Sequence, residues 1–199
     1  MVIGIIGKRQ SGKDTTAEYL GRTRHNFVRY AFADPIKKAC REMFGFTDEQ
    51  CWGKDKEKTD EHWGVTPREV FQVFGTEFAQ YFLPEKIKGL AKIGRYFWVH
   101  RFIRWFRENK EKNIAIPDCR FVHEVKALRQ LSSEVPVRII KIAREMKHNH
   151  AVFDMHPSEK EMEKITDIDA IFLNDSTIPN LEKQIGRKVS LWLDEDQNV

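Results

Sequence analysis

A short apolar segment that runs directly into a glycine–lysine loop constrains this 199-residue chain more than any other feature. Val2–Ile6 is a β-branched apolar run of the kind that forms a buried strand of a parallel sheet. Gly7, Gly12 and Lys13 follow in the spacing G-x-x-x-x-G-K, and a helical pattern begins directly after them. Glycines allow backbone amides to turn inward around phosphate oxygens, and a helix N-terminus and a lysine add positive charge. The segment is therefore predicted to bind the phosphates of a nucleotide such as ATP.

The residue after this lysine departs from the general motif. Asp14 stands where Ser or Thr normally meets a magnesium ion, and Thr15 follows it. A carboxylate is a hard oxygen ligand that suits Mg²⁺ directly or through water, so both residues are candidate metal ligands. The alternative is that Asp14 only complements the helix dipole. The remaining candidates for ATP binding in this segment are Lys8, Arg9, Ser11 and Thr16.

Composition excludes several classes of protein. Lys and Arg number 34 against 30 Asp and Glu, a net charge of +4 that permits anionic small-molecule substrates without requiring nucleic acid. Cys40, Cys51 and Cys119 lack paired spacing, so neither a disulfide framework nor a zinc site is predicted. No apolar run reaches the roughly 18 residues that span a bilayer, and no secretory signal is recognisable. A cytoplasmic protein without a membrane partner is expected.

Strand and helix patterns alternate along the rest of the chain. Further strands are predicted at 27–32, 113–117, 135–142 and 170–173. Helices are predicted to begin at Asp34 and Thr66 and to cover 98–112, 122–131 and 178–185, the last ended by Gly186. This alternation predicts an α/β fold with a mostly parallel five-stranded sheet covered on both faces.

Ligands of such sheets bind beyond the carboxyl ends of the strands. Gly7–Thr15, Asp34, Asp118–Arg120 and Asn174–Asp175 are expected there and would converge on one crevice. Arg120 and Arg68 are the best candidates to hold a second phosphate, because a guanidinium matches phosphate oxygens bidentately.

Several stretches of the chain resemble, in order, the bacteriophage deoxynucleoside monophosphate kinases, a branch of the P-loop nucleoside monophosphate kinases. They are the loop GKRQSGKDTT, YAFADPIK (30–37), TPREVFQVFGTEFAQ (66–80), a tryptophan at Trp98, IAIPDCRFVHEV (114–125), HPSE (156–159) and LNDSTIPNLEKQI (173–185). The resemblance implies a P-loop NTPase-type three-layer α/β/α core (1–34, 113–143, 165–199), a helical acceptor-binding insertion (35–112) and a lid (144–164). It also implies magnesium-dependent transfer of phosphate from ATP to a deoxynucleoside monophosphate (dNMP), in the host cytoplasm if the protein is phage-encoded.

The resemblance also assigns residues to the dNMP site. They are Arg68, Gly75, Thr76, Trp98, Asp118, Arg120 and Glu124, and Gln72 lies one turn from Arg68, where it could reach the base edge. Lys13, Arg120, Arg144 and Asp118 are the candidates for catalysis, with Arg144 reaching the transferring phosphate from the lid, and Asn174 belongs to the adenine-side loop.

Structural alternatives stay open for most of these residues. Arg68 would pair with Glu69 or Asp118, and Trp98 would be plain core. Thr76 would be an ordinary helix residue, and Glu124 would be a solvated helix residue. Asp118 would orient Arg120, help to bind Mg²⁺ through water, or contact the acceptor.

Two other functions remain as alternatives. Phosphomevalonate kinases also resemble the GKR-x-SGKD loop, so another small-molecule kinase is the first. A nucleotide-binding regulator or nucleic-acid-binding module without turnover is the second, and the aromatic and basic helix 98–112 is its one support. A packed helix with a solvated basic face is the favoured interpretation, so no nucleic-acid partner is predicted. The bases accepted, selectivity against ribose and homodimer formation are left undetermined.

Overall fold

The computed structural model describes residues 1–144 and 161–197. The chain divides into two compact units, one formed by Met1–Ala31 with Arg107–Val199 and the other by Phe32–Phe106. The second unit differs by a few residues at each end from the predicted insertion, 35–112. The role of that insertion and the lid boundaries stay predictions.

Eight α-helices and a π-helix lie within the described residues. They are α1 (Lys13–Arg22), α2 (Asp34–Phe44), α3 (Asp48–Cys51), α4 (Pro67–Gln72), the π-helix (Val73–Phe82), α5 (Leu83–Lys86), α6 (Phe97–Arg107), α7 (Val122–Gln130) and α8 (Ile178–Gln197). Short 3₁₀ turns occupy Lys54–Glu57, Lys88–Leu90, Gly94–Tyr96 and Leu131–Ser133. None of the helices in these ranges combines the length and the apolar character that crossing a membrane needs.

The first unit is built on one parallel sheet. Its strands are β1 (Val2–Ile6), β2 (Val28–Arg29), β3 (Ile114–Ile116), β4 (Val137–Ala143) and β5 (Ala170–Leu173). They lie in the order β2-β3-β1-β4-β5, and every neighbouring pair is parallel. The predicted α/β fold is confirmed, and the sheet is wholly parallel in the described residues. The carboxyl ends of all its strands therefore share one edge.

Alternation along β1 places helices on both faces of this sheet. Ile3 and Ile5 belong to a buried cluster with residues of α1 and α8, such as Leu20 and Ile185. Gly4 points the other way, where an added Cβ would lie 3.1 Å from Leu128 of α7. Because β1 is buried on both faces, its sequence is apolar throughout rather than alternating.

The second unit is helical in the residues described. A capping box starts α4: the Thr66 side chain accepts from the amide of Glu69, and the Glu69 carboxylate accepts from the amide of Thr66. The helix expected from this signal continues past α4 as the π-helix. Edge-on contact between Phe46 and Phe71, with ring centres 6.1 Å apart, packs α4 within the unit.

Three predicted boundaries were wrong, each for a tertiary reason. The last helix passes through Gly186, whose missing Cβ lets the hydroxyl of Tyr19 on α1 approach closely, so this glycine serves helix packing. Helix α6 ends at Arg107 rather than 112, since the polar residues after it have no apolar face to bury. The second strand covers Val28–Arg29 rather than 27–32, and the chain enters the second unit at Phe32, shortly after the Tyr30 amide donates to the carbonyl oxygen of Ala115 on β3.

Candidate functional site

The loop between β1 and α1 has a backbone that only glycine adopts easily at two positions. Gly7 has φ +152° and Gly12 has φ +108°. A Cβ at Gly7 would lie 2.6 Å from the hydroxyl oxygen of Ser11, and one at Gly12 would lie 2.8 Å from the side-chain nitrogen of Asn174. Both glycines are therefore required by close approach as well as by φ, which explains their spacing.

The loop buries one hydroxyl that none of the described residues satisfies. Ser11 is 2% exposed, and its Oγ has no hydrogen-bond partner among the residues that the structure describes. Helix α1 begins at Lys13 without a side-chain cap, so its first amides have no partner within the helix. Lys13 is 8% exposed and its Nζ donates to the carbonyl oxygen of Lys8 at 2.6 Å. A buried hydroxyl, helix amides and an ammonium together suit a phosphate.

The proposed metal ligands lie on the first turn of α1. The Asp14 side chain is 72% exposed, and its Oδ1 lies 3.4 Å from a guanidinium nitrogen of Arg29. Thr15 is half-buried. Nucleotide-bound Mg²⁺ is typically coordinated by one or two protein oxygens, and phosphate oxygens and water complete its coordination shell. An exposed carboxylate beside a hydroxyl residue fits that requirement, although the described residues contain no cluster of three or more His, Cys, Asp or Glu side chains.

Thr16 and Asn174 support the loop. The Thr16 hydroxyl donates to the carbonyl oxygen of Gly12 at 2.9 Å. Asn174 follows β5, and its Nδ2 donates to the carbonyl oxygen of Ser11 at 2.8 Å. The Asn174 amide also donates to Ala143 at the end of β4. The side-chain amide of Asn174 thus holds the loop between β1 and α1, while its adenine-side role stays a prediction.

Cationic side chains surround the outer part of the same loop. Lys8, Arg9 and Arg144 are exposed. The Arg144 guanidinium donates to the carbonyl oxygen of Gln10 at 3.4 Å, and Lys8 lies 3.5 Å from a carboxylate oxygen of Glu163. Of the rest of the predicted lid, residues 145–160 lie outside the described residues, together with the HPSE stretch at 156–159, whereas 161–164 are described and include Glu163.

The segment after β3 presents Asp118 and Arg120 at the carboxyl edge of the sheet. Both side chains are half-buried. Their neighbours Pro117 and Cys119 are buried, and so is Glu124 on α7. Burial raises the pKa of the Cys119 thiol well above its usual value, so this cysteine is an inert core residue. In the two described ranges, the Arg120 guanidinium makes no hydrogen bond or ion pair. Arg120 is therefore a half-buried cation, and its role toward the acceptor stays a prediction.

Glu124 is 4% exposed, so the alternative of a solvated helix residue is wrong. Its Oε2 accepts hydrogen bonds from the amides of Arg120 and Phe121, at 2.7 and 3.0 Å. Burial raises the pKa of the Glu124 carboxyl to about 8, against the opposing effect of the two amides.

The second unit carries the other predicted acceptor residues. Gly75 and Thr76 lie in the π-helix, a rare conformation that is frequent at functional sites. Gln72 ends α4 and is half-buried. Trp98 is 8% exposed, and its indole Nε1 donates to the carbonyl oxygen of Gly75 at 2.7 Å. This bond favours the core alternative for Trp98, while base stacking stays untested.

Arg68 and Asp34 also lie in this unit. The Arg68 Nε donates to a carboxylate oxygen of Glu57 at 2.6 Å, so its partner within the second unit is Glu57 and not Glu69. Asp34 begins α2 and accepts a hydrogen bond from the indole of Trp52. Gly7–Thr15, Asp118–Arg120 and Asn174 lie in the first unit, so the expected crevice with Asp34 stays a prediction.

Sequence reasoning missed the residues that pair with the predicted ones. Arg29 pairs with Asp14, Glu57 with Arg68, and Glu163 with Lys8. No local pattern marks these partners, because each pair joins separate segments of the chain. Gln80 was also missed: it is 4% exposed, and its Oε1 has no partner among the described residues.

Comparison with known proteins agrees with this geometry. The family model for deoxynucleotide monophosphate kinase matches residues 1–63 and 41–185. A protein of Acanthamoeba polyphaga mimivirus named "Putative deoxynucleotide monophosphate kinase" is 37% identical over 192 residues, which cover 93% of this chain and 94% of the viral protein. The chain therefore belongs to the deoxynucleotide monophosphate kinase family.

Proposed function

We propose that this protein transfers the γ-phosphoryl group of ATP to a deoxynucleoside monophosphate. An oxygen of the acceptor's phosphate attacks the γ-phosphorus, the bond to the bridging oxygen of the β-phosphate breaks, and ADP and a deoxynucleoside diphosphate result. The observation that carries the proposal is the loop before α1, where Ser11 has a buried hydroxyl without a described partner beside the ammonium of Lys13. Membership of the family supports the choice of acceptor.

The loop's own groups account for donor binding. Amides of the first turn of α1 and the Ser11 hydroxyl would donate to phosphate oxygens, and Lys13 would stabilise the charge that develops during transfer. Lys8 and Arg9 add exposed cations at the rim. Arg144 already contacts this loop through Gln10, and its guanidinium would stabilise the transferring group.

Asp14 and Thr15 would hold a magnesium ion that accompanies ATP. When bound, the ion neutralises phosphate charge and orients the terminal phosphates. The Asp14 carboxylate is exposed and would then exchange its Arg29 partner for the metal.

Acceptor binding would depend on Arg120. Its guanidinium has no hydrogen-bond or ion-pair partner in the described ranges, and a fork of donors suits a phosphate dianion. Asp118 lies two residues away and would orient this arginine or contact the acceptor. The acceptor roles of Arg68, Gln72, Gly75, Thr76 and Trp98 remain part of the proposal.

A coupled assay of ADP formation tests the proposal. The purified protein with ATP and Mg²⁺ is offered each of the four dNMPs, the matching ribonucleotides, phosphomevalonate, or no acceptor. We expect ADP formation that depends on at least one dNMP. Activity with phosphomevalonate alone would assign the protein to another kinase class, and ATP binding without any acceptor-dependent ADP would indicate a regulator. Steeply salt-dependent DNA binding would then support a nucleic-acid module.

The substitution Arg120→Lys tests the acceptor assignment separately. Lysine keeps the charge but loses the bidentate fork, so the KM for the dNMP should rise while the KM for ATP is retained. An equal loss of affinity for both substrates would show that Arg120 does not act on the acceptor.

A further inference from the structure

Glu124 has a buried carboxyl group whose contacts are with the backbone rather than with solvent. One of its oxygens, Oε2, accepts from two consecutive amides, those of Arg120 and Phe121, at 2.7 and 3.0 Å. The Glu124 amide in turn donates to the carbonyl oxygen of Phe121 at 3.0 Å. Residues 120 and 121 are therefore tied to the first turn of α7 by the side chain and the backbone of one residue.

The backbone on the other side of Arg120 is held as well. Cys119 is fully buried, its Sγ would lie 3.3 Å from a Cβ placed on Gly4 of β1, and it contacts the carbonyl oxygen of Ile116. Arg120 thus stands between a residue packed on the sheet and a residue bonded to Glu124. With the backbone held on both sides, the direction in which the arginine side chain leaves the chain is fixed.

We propose that Glu124 is a positioning residue that acts on the acceptor only through the backbone of Arg120. This inference rests on the proposed function, since it assigns Arg120 to the acceptor's phosphate. It differs from the role that the family resemblance implies, which is direct contact between Glu124 and the dNMP.

Hydrogen-bond chemistry separates the two roles. A glutamine at position 124 keeps an sp² oxygen that accepts both amides, but it removes any negative charge. An alanine leaves the amides of Arg120 and Phe121 unpaired. An aspartate keeps the charge, but its shorter side chain holds the carboxylate oxygen away from these amides. A positioning role therefore tolerates Gln and not Asp, whereas a role that needs the charged group tolerates Asp better than Gln.

Steady-state kinetics of the three variants test the proposal. We expect Glu124→Ala and Glu124→Asp to raise the KM for the dNMP at least ~10-fold with the KM for ATP retained, and Glu124→Gln to restore it to within ~3-fold of the parent protein. Loss in the Gln variant as large as in the Ala variant would overturn the proposal. An unchanged KM for the dNMP in folded Ala and Asp variants would also overturn the proposal. If the Ala variant does not fold, the Asp and Gln variants carry the comparison.

A double-mutant cycle tests whether Glu124 acts through Arg120. In an Arg120→Ala background, Glu124→Ala should cause no further loss of kcat/KM, because the group that it positions is gone. Additive losses would overturn the proposal.

Amide hydrogen exchange measures how firmly Glu124 holds the backbone, and it does not require catalysis. Protection at Arg120 and Phe121 should fall in the Asp variant and persist in the Gln variant. Unchanged protection in the Asp variant would contradict the inference. A parent protein that forms no dNMP-dependent ADP would instead refute the proposed function, and the exchange experiment would still decide whether Glu124 holds this backbone.

Discussion

The buried carboxyl of Glu124 makes the stability of the fold depend on pH in a predictable direction. The perturbation is Glu124→Gln, which replaces a titrating group by one that cannot ionise and retains an acceptor for the amides of Arg120 and Phe121. Burial raises the pKa of this carboxyl from 4.5 in the unfolded chain to about 8 in the folded one. The folded state then holds its proton more tightly, so this contribution to stability is complete below pH 4.5 and is lost as the pH rises towards 8.

The magnitude follows from the interval between the two pKa values. Each pH unit within it changes the free energy of unfolding by about 1.4 kcal/mol, so the window from pH 4.5 to 8 accounts for about 5 kcal/mol. Burial is the largest cause, and the nearby Asp118 acts in the same direction. The two amides and the charge of Arg120 oppose it. Burial outweighs the hydrogen bonds because the side chain is only 4% exposed.

Urea unfolding followed by circular dichroism measures this effect between pH 4.5 and 9. The free energy of unfolding of the parent protein minus that of the Gln variant should fall steadily up to about pH 8 and then level off. Glu134→Gln is the matched control, because Lys110 lowers the pKa of the exposed Glu134 carboxyl and confines its titration to the acid end of this range. A difference that stays flat between pH 5 and 8 would show that the amides keep Glu124 ionised, contrary to the raised pKa.

Three further substitutions have expected outcomes. Lys13→Ala should lower kcat at least ~10²-fold because it removes a cation from the transferring phosphate, and unchanged turnover in the ADP assay would exclude the lysine from the chemistry. Gly186→Ala should lower the free energy of unfolding by about 1–3 kcal/mol in urea, since its Cβ meets the Tyr19 hydroxyl, and Tyr19→Phe in the same chain should restore part of the loss. Trp98→Phe should destabilise the protein by about 1–3 kcal/mol by leaving the Gly75 carbonyl without its indole donor, and equal thermal stability would argue against that bond.

Local signals predicted the backbone of the loop between β1 and α1 well. The strand, the spacing of Gly7, Gly12 and Lys13 and the start of α1 are properties of consecutive residues, so their backbone conformation follows from nearby sterics and periodicity. The parallel sheet could also be predicted, because apolar β-branched runs alternate with helical patterns.

Predictions that depended on distant contacts were less successful. Gly186 has a low helix propensity and was expected to end the last helix, yet close packing against Tyr19 outweighs a cost of about 1 kcal/mol. The pairs of Arg68 with Glu57 and of Asp14 with Arg29 left no trace in local spacing.

The amino-acid sequence was enough to predict a parallel sheet with a glycine loop after its first strand, because strand, turn and helix there depend on neighbouring residues. The contacts of the polar groups around that loop could be read only from the folded chain. Asn174 braces the loop and Glu124 holds the backbone of Arg120, whereas the Ser11 hydroxyl has no described partner. The physical reason is that a hydrogen bond between residues far apart in the chain depends on how whole elements pack, and packing in turn decides which polar groups are buried.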